Sequence, residues 1–139
     1  MRGKVRFWLL LALAAALLAG GCGGDDDDAS DGPPLEGTEW TLASGVDVPE
    51  DAVPTLLLEE GDASGFGGCN TFTGGYELDG DSISIGPLAG TLMACEVQKM
   101  AVEGAYMPAL EAADAWSIDG DELVLSSGDE ETLRFSGPG

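Results

Sequence analysis

An Asp-Gly pair stands twice between short segments that alternate apolar and polar residues, and nothing else in this chain constrains its fold as strongly. Tyr76 and Leu78 lead into Asp79-Gly80, and Ile83 and Ile85 follow, spaced by Ser82 and Ser84. Trp116 and Ile118 lead into Asp119-Gly120, with Leu123 and Leu125 beyond. A repeat of two belongs to a strand with one buried face, and Asp-Gly tolerates the positive φ of a tight hairpin turn. Two antiparallel hairpins are therefore predicted. Trp40 with Leu42, Leu56-Leu57-Leu58 after Pro54, and Leu133 with Phe135 supply further short strands, and Glu59-Glu60-Gly61-Asp62 supplies another turn. The chain reads as mainly β.

One stretch departs from that repeat. From Glu96 to Ala113, the residues Val97, Met100, Ala101, Ala105, Met107 and Leu110 recur at helical spacing. Glu96 sits where a helix dipole favours an anion. Gly104 weakens a helix, and Pro108 is expected to bend or end it. The spacing predicts a helix over about 97–106 and a looser turn to Ala112, one element over about 97–112. Its methionine-bearing stripe is expected to pack into the core.

The start of the chain has a different character. Arg2, Lys4 and Arg6 precede an apolar run of twelve residues from Phe7 to Leu18. That length suits a signal-peptide core and falls short of the roughly 20 residues of a membrane-spanning helix. Ala19-Gly20-Gly21 ahead of Cys22 resembles a bacterial lipobox. The expectation is a lipoprotein signal peptide over 1–21 and acyl chains on Cys22. These would hold the protein to the extracytoplasmic face of a bacterial membrane, in the cell envelope. Gly23 to Pro34 contains only Gly, Asp, Ala, Ser and Pro, including four consecutive aspartates. Such a segment has nothing to bury, so 22–34 reads as an acidic tether ahead of a domain over 35–136. The aspartates lack the interleaved turns of a calcium loop.

Charge and missing residue types narrow the function. Three of the five basic residues precede Cys22, which leaves Lys99 and Arg134 to face 26 acids. Nucleic-acid binding is excluded on that balance, and lying flat on an anionic bilayer is disfavoured. There is no histidine. The commonest general base and the commonest metal ligand are therefore both missing, and no catalytic, metal or cofactor site is expected. A binding role without turnover leads, toward an envelope protein or a small ligand. A ligand carrier or a protease inhibitor presenting Asp47-Val48-Pro49-Glu50-Asp51 is the alternative. A carboxylate-only glycosidase would need Glu59 or Glu60 with a second acid, a cleft and one raised pKa.

Cys69 and Cys95 are the other two cysteines. In an exported chain they are most simply a disulfide, closing a loop of about 27 residues worth about 3.5 kcal/mol. Neither CxxC spacing nor a flanking cation marks them as a redox pair. The glycines before Cys69 lack the Lys-Ser/Thr of a phosphate loop and read as sites of sharp bending and close backbone approach.

Together these segments resemble a known family. Gly37-Thr38-Glu39-Trp40-Thr41-Leu42 opens the pattern, and Ser64-Gly65-Phe66-Gly67-Gly68-Cys69-Asn70 with Gly74-Gly75-Tyr76 forms its centre. Ile85-Gly86-Pro87-Leu88-Ala89, Thr91-Leu92-Met93-Ala94-Cys95, Glu103-Ala105-Tyr106 and Ile118 to Leu125 complete it. This is similar to the META domain, the family that includes HslJ-type heat-shock lipoproteins. The resemblance implies a small, conical, lipocalin-like antiparallel β-barrel with one helix. It also implies a place in envelope stress tolerance. It brings no catalytic residues, so Trp40, Gly68, Asn70, Tyr76, Thr91 and Met93 are expected to hold the fold.

The acidic balance carries one expectation for stability. Repulsion among carboxylates opposes compaction at low salt, and the Debye length falls from about 30 Å at 0.01 M to about 3 Å at 1 M. The melting temperature should rise between those two sodium chloride concentrations. A flat or falling value would show that the charges are too dispersed to matter.

Overall fold

The structure is a computed structural model that describes residues 32–138. The predicted signal segment, Cys22 and the tether through residue 31 lie outside the described residues. The strands are β1 (Glu39–Ser44), β2 (Thr55–Glu59), β3 (Asp62–Phe66), β4 (Thr71–Asp79) and β5 (Ser82–Ile85). After β6 (Ala89–Gly90) comes the one helix described, α1 (Val97–Ala112), followed by β7 (Ala115–Asp119), β8 (Glu122–Ser127) and β9 (Glu130–Ser136). The fold is mainly β with a single helix, as the alternating segments predicted.

Neighbouring strands run β3-β2-β1-β9-β8-β7-β5-β4, and β4 pairs back onto β3. Eight antiparallel strands thus close into a ring, with β6 added beside the first half of β4. Closure removes the exposed edges that an open sheet leaves unpaired. The seam is thinnest between β5 and β7, which share only the pair Ser82↔Ala115. There the Trp116 indole reaches across and donates to the Gly80 carbonyl at 3.0 Å.

The two predicted hairpins form, shifted by one residue in their turns. Asp79 and Asp119 end their strands, and the loops are Gly80-Asp81 and Gly120-Asp121. Glycine takes the first loop position with φ of 63° and 65°, the pattern of a type II′ turn. The β2–β3 turn differs: Glu60 and Gly61 both have positive φ, which is the type I′ pattern.

Alternation places Trp40, Leu42, Leu56, Leu58, Phe72, Ile83, Ile85, Leu123, Leu125, Leu133 and Phe135 inside the ring. The register also gives the ring two distinct ends. β1 and β8 run one way, and β2, β7 and β9 run the other. The turns at 60–61, 80–81 and 120–121 therefore share one end. Gly32 lies there too, against Gly120, and the Gly137 amide donates to the Asp121 carbonyl. The β1–β2 loop, the turn at Gly67–Asn70, the β8–β9 turn and α1 occupy the other end. The ordered fold reaches slightly ahead of residue 35, because Thr38 Oγ1 donates to the Pro34 carbonyl.

α1 closes its end of the ring with Val102, Tyr106 and Leu110, spaced four apart on one face. Tyr106 is fully buried and meets Phe72 and Phe135 edge-on, with ring centroids 6.1 and 6.2 Å away. Its hydroxyl donates to the Thr55 carbonyl at 2.8 Å. Two expectations fail here. The helix continues through Pro108 without breaking. The carbonyl four residues earlier, which proline crowds and leaves unbonded, belongs to Gly104, an exposed position where it can turn to water. The expected stripe is core only in part: Leu110 is buried and Met107 packs against the core, whereas Val97, Met100, Ala101 and Ala105 face solvent. The bulkier Val102–Tyr106–Leu110 face buries more apolar area and wins the inward position.

Both tyrosines of the chain titrate against the fold. Burial pushes the Tyr106 phenol well above its ordinary value. Burial, with the bond donated to the Glu36 carboxylate, pushes Tyr76 up as well. Folded values above unfolded ones mean that this stability is complete below the unfolded pKa, near 10.0, and is lost as pH rises through the folded values. Ultraviolet titration should find less phenolate in the native protein at pH 10.0 than in the denatured chain, which is half ionised there. As much phenolate in the native as in the denatured protein at that pH would contradict the burial argument.

Candidate functional site

The helix end of the ring carries the densest polar chemistry among the described residues, and it begins with a glycine turn. Gly68 has φ of 118°, and a Cβ there would sit 2.8 Å from Val102 Cγ1. Only glycine both takes that backbone conformation and lets α1 approach so closely. The turn then aims the amides of Cys69 and Asn70 at α1, where Glu103 Oε1 accepts them at 3.2 and 2.6 Å. Glu103 Oε2 accepts Asn70 Nδ2 at 2.9 Å. One helix carboxylate thus satisfies three donors of a single turn.

Asn70 turns its other atom the opposite way. Its Oδ1 accepts Thr91 Oγ1 at 2.9 Å and the Met93 amide at 2.7 Å, while Nδ2 also donates to the Met93 carbonyl at 3.3 Å. Asn70 is buried, so each of these bonds offsets a desolvation cost that water cannot relieve. The Cys69–Cys95 disulfide closes the same circuit, with Cα atoms 5.9 Å apart. A disulfide sulfur has no proton, so the 3.4 Å approach of Cys69 Sγ to the Met93 carbonyl is a contact and not a hydrogen bond. A second helix carboxylate, Glu111, accepts the Leu88 amide at 2.8 Å.

The predicted residues divide accordingly. Gly68, Cys69, Asn70, Thr91, Met93 and Cys95 come together in this knot, Met93 through its backbone alone. Trp40 sits apart in the ring interior, its indole donating to the Leu35 carbonyl at 3.0 Å. Tyr76 lies on β4 with Glu36. Cys22 lies outside the described residues. Glu103 was quoted in the motif without a role, because one carboxylate among 26 carries no local signal. Its place one helix turn before Tyr106 was the available hint.

Beside the knot, a groove of about 680 Å³ runs between α1 and the β1–β2 loop, walled by Val46, Asp47, Val48, Pro49, Ala101 and Ala105. The loop is fastened and does not project. Ala52 is fully buried, its amide donates to the Pro49 carbonyl at 3.1 Å, and Lys99 reaches Asp51 at 3.4 Å. Glu59 and Glu60 lie at the other end, exposed at the β2–β3 turn. Among the described residues, no three His, Cys, Asp or Glu side chains converge in a way that would hold a metal.

Comparison with known proteins places this geometry. Residues 33–138 match the sequence profile of the META domain. The NMR structure of a protein from Burkholderia xenovorans is 30% identical, covering 84% of this chain and 98% of its own with a TM-score of 0.64. A second NMR structure is 20% identical over 73% of this chain and 90% of its own, with a TM-score of 0.58. The crystal structure of a DUF4847 family protein from Bacteroides vulgatus is 13% identical over 73% and 93%, with a TM-score of 0.56. The last two share the fold alone. No curated protein matches the chain significantly.

The knot generates a direct expectation. Glu103→Gln replaces an acceptor by an NH₂ group facing donors, and should cost about 1–3 kcal/mol in urea unfolding. Glu77→Gln, on the exposed face of β4, should change stability by less than about 0.5 kcal/mol. Equal effects would show that the carboxylate does not hold the turn.

Proposed function

The chain belongs to the META-domain family, and from that membership we infer that it works as a lipid-anchored, non-catalytic binding protein of the bacterial cell envelope. The observation that carries this reading is the polarity of the ring. The described chain begins at Gly32, beside Gly120, at the end away from α1. An anchor on Cys22 would hold the domain by that end and leave the helix end free to meet a partner.

The chemistry supports binding over turnover. The chain has no histidine, and the two helix carboxylates that face polar groups, Glu103 and Glu111, already accept backbone amides. Arg134 is held by Glu122, Glu131 and Asp119 on the outer face of β9. The family resemblance adds a role in stress tolerance.

The test is fractionation and complementation. Cys22→Ala should leave an unprocessed precursor or a soluble form. It should also fail to restore a deletion strain under envelope stress. Exposed acid variants such as Glu60→Gln should restore it fully. A processed, membrane-bound Cys22→Ala protein would overturn the anchor. An exposed, folded acid variant with complete loss, together with turnover of an envelope substrate, would overturn the non-catalytic role.

A further inference from the structure

α1 is turned inside out for a helix on the surface of a soluble domain. Such helices show charge to water and apolar residues to the core. Here the residues facing solvent are mostly apolar or small, Val97, Met100, Ala101, Gly104, Ala105, Pro108 and Ala112, with Gln98 and Glu111 the polar ones among them. The charged side chains are each engaged by the domain or the helix start: Lys99 with Asp51 and Glu96, Glu103 with the Gly67–Asn70 turn, and the exposed Glu111 with the Leu88 amide. The exposed large apolar side chains follow the same bias. Leu92, Met93, Val97 and Met100 are 98, 60, 83 and 49% exposed, and the only other one among the described residues is Leu78. Four of five therefore fall within one nine-residue stretch that runs into the first turn of α1. Val97, Ala101 and Ala105, spaced four apart, form one line on α1 about two helical turns or 12 Å long, whose Ala101 and Ala105 wall the groove.

We propose that this groove and helix face dock a cationic amphipathic helix of a partner protein, a refinement that rests on the binding role inferred above. Charge selects that occupant. Asp47 lines the groove, Glu50 and Asp51 follow it in the loop, and Glu96 stands at the start of α1. Among the described residues, Asp47 and Glu50 have no cationic partner, and Lys99 is already shared by Asp51 and Glu96. A second copy of the chain would bring the same excess of acid and be repelled, as would an anionic bilayer. A helix with an apolar face and Lys or Arg along its flanks meets both demands: its face covers the patch and its cations meet the acidic rim. Met93 and Met100 suit such a surface, since their unbranched side chains repack against varied partners.

The full chain in nanodiscs of zwitterionic lipid, with empty discs as blank, allows the test. The probe is a synthetic Leu/Lys peptide with its leucines on one helical face, titrated calorimetrically at physiological salt. The wild type should bind it and ignore the same peptide with Glu in place of Lys. Ala105→Trp, which fills the groove, and Val97→Lys, at an exposed position with no packing to lose, should each weaken binding about tenfold or more. The double variant Glu77→Gln/Asp79→Asn, remote from the helix end, should bind within about twofold of wild type. Equal weakening by the remote variant would overturn the site in favour of diffuse attraction to a polyanion. Equal binding of the Glu peptide would overturn the charge selection. Self-association that Val97→Lys abolishes would assign the face to a second copy. No binding of the Lys peptide would reject the cationic partner while leaving the anchored role, which fractionation and complementation test separately.

Discussion

A closed ring of short strands must be stopped at its ends, and here one side chain does most of that. Tyr106 reaches from α1 into the space between Phe72 and Phe135, and its hydroxyl finds the Thr55 carbonyl that a wholly apolar plug would leave less well satisfied. The aromatic body supplies area and the polar tip supplies direction. Everything else at that end follows from holding α1 where Tyr106 can enter. Gly68 allows the close approach, and Glu103 and Glu111 fasten the helix to the two loops it crosses. The disulfide ties the segment leading into α1 to the same turn.

A second constraint is the scarcity of cations. With Lys99 and Arg134 alone in the described chain, most carboxylates have no ion-pair partner. Exposed pairs contribute little in any case. The domain instead uses carboxylates as acceptors for buried or half-buried amides, a charge-assisted bond that needs no counter-ion. Arg134 is the exception. Its guanidinium stands between Glu131, Glu122 and Asp119, and the bond to Glu131 holds that carboxyl below its usual range.

Much of this was legible in the sequence, and the failures share a cause. Period-two segments and Asp-Gly pairs located the strands and hairpins because each signal is local and repeated. The disulfide was legible because a chain with two cysteines left after Cys22 offers one pairing. The facing of α1 was misread because Val97, Met100, Ala101 and Ala105 are as helically spaced as Val102, Tyr106 and Leu110. Periodicity alone cannot say which stripe is inward; Tyr106 decides it through a bond to Thr55, 51 residues away. Pro108 was misread for a similar reason, since the cost of proline depends on the carbonyl four residues back. Glu103 escaped notice because its role lies in the geometry of a distant turn. Nothing local tells which end of the ring the β1–β2 loop and the turns at 80–81 and 120–121 occupy; the register puts the first at one end and the others at the opposite end.

The pairing of β1 with β9 has a consequence for the life of the chain before it is folded. Thr41 lies beside Ser136, 95 residues later, so the ring cannot close until the final strand has emerged from synthesis. Contacts of such long range form slowly, because the entropy of a large loop is lost before any contact compensates it. A nascent chain of this design keeps its ring open until β9 has been made. Until that strand is present, β1 has no partner on one of its two edges, and the chain holds only the local hairpins that topology allows.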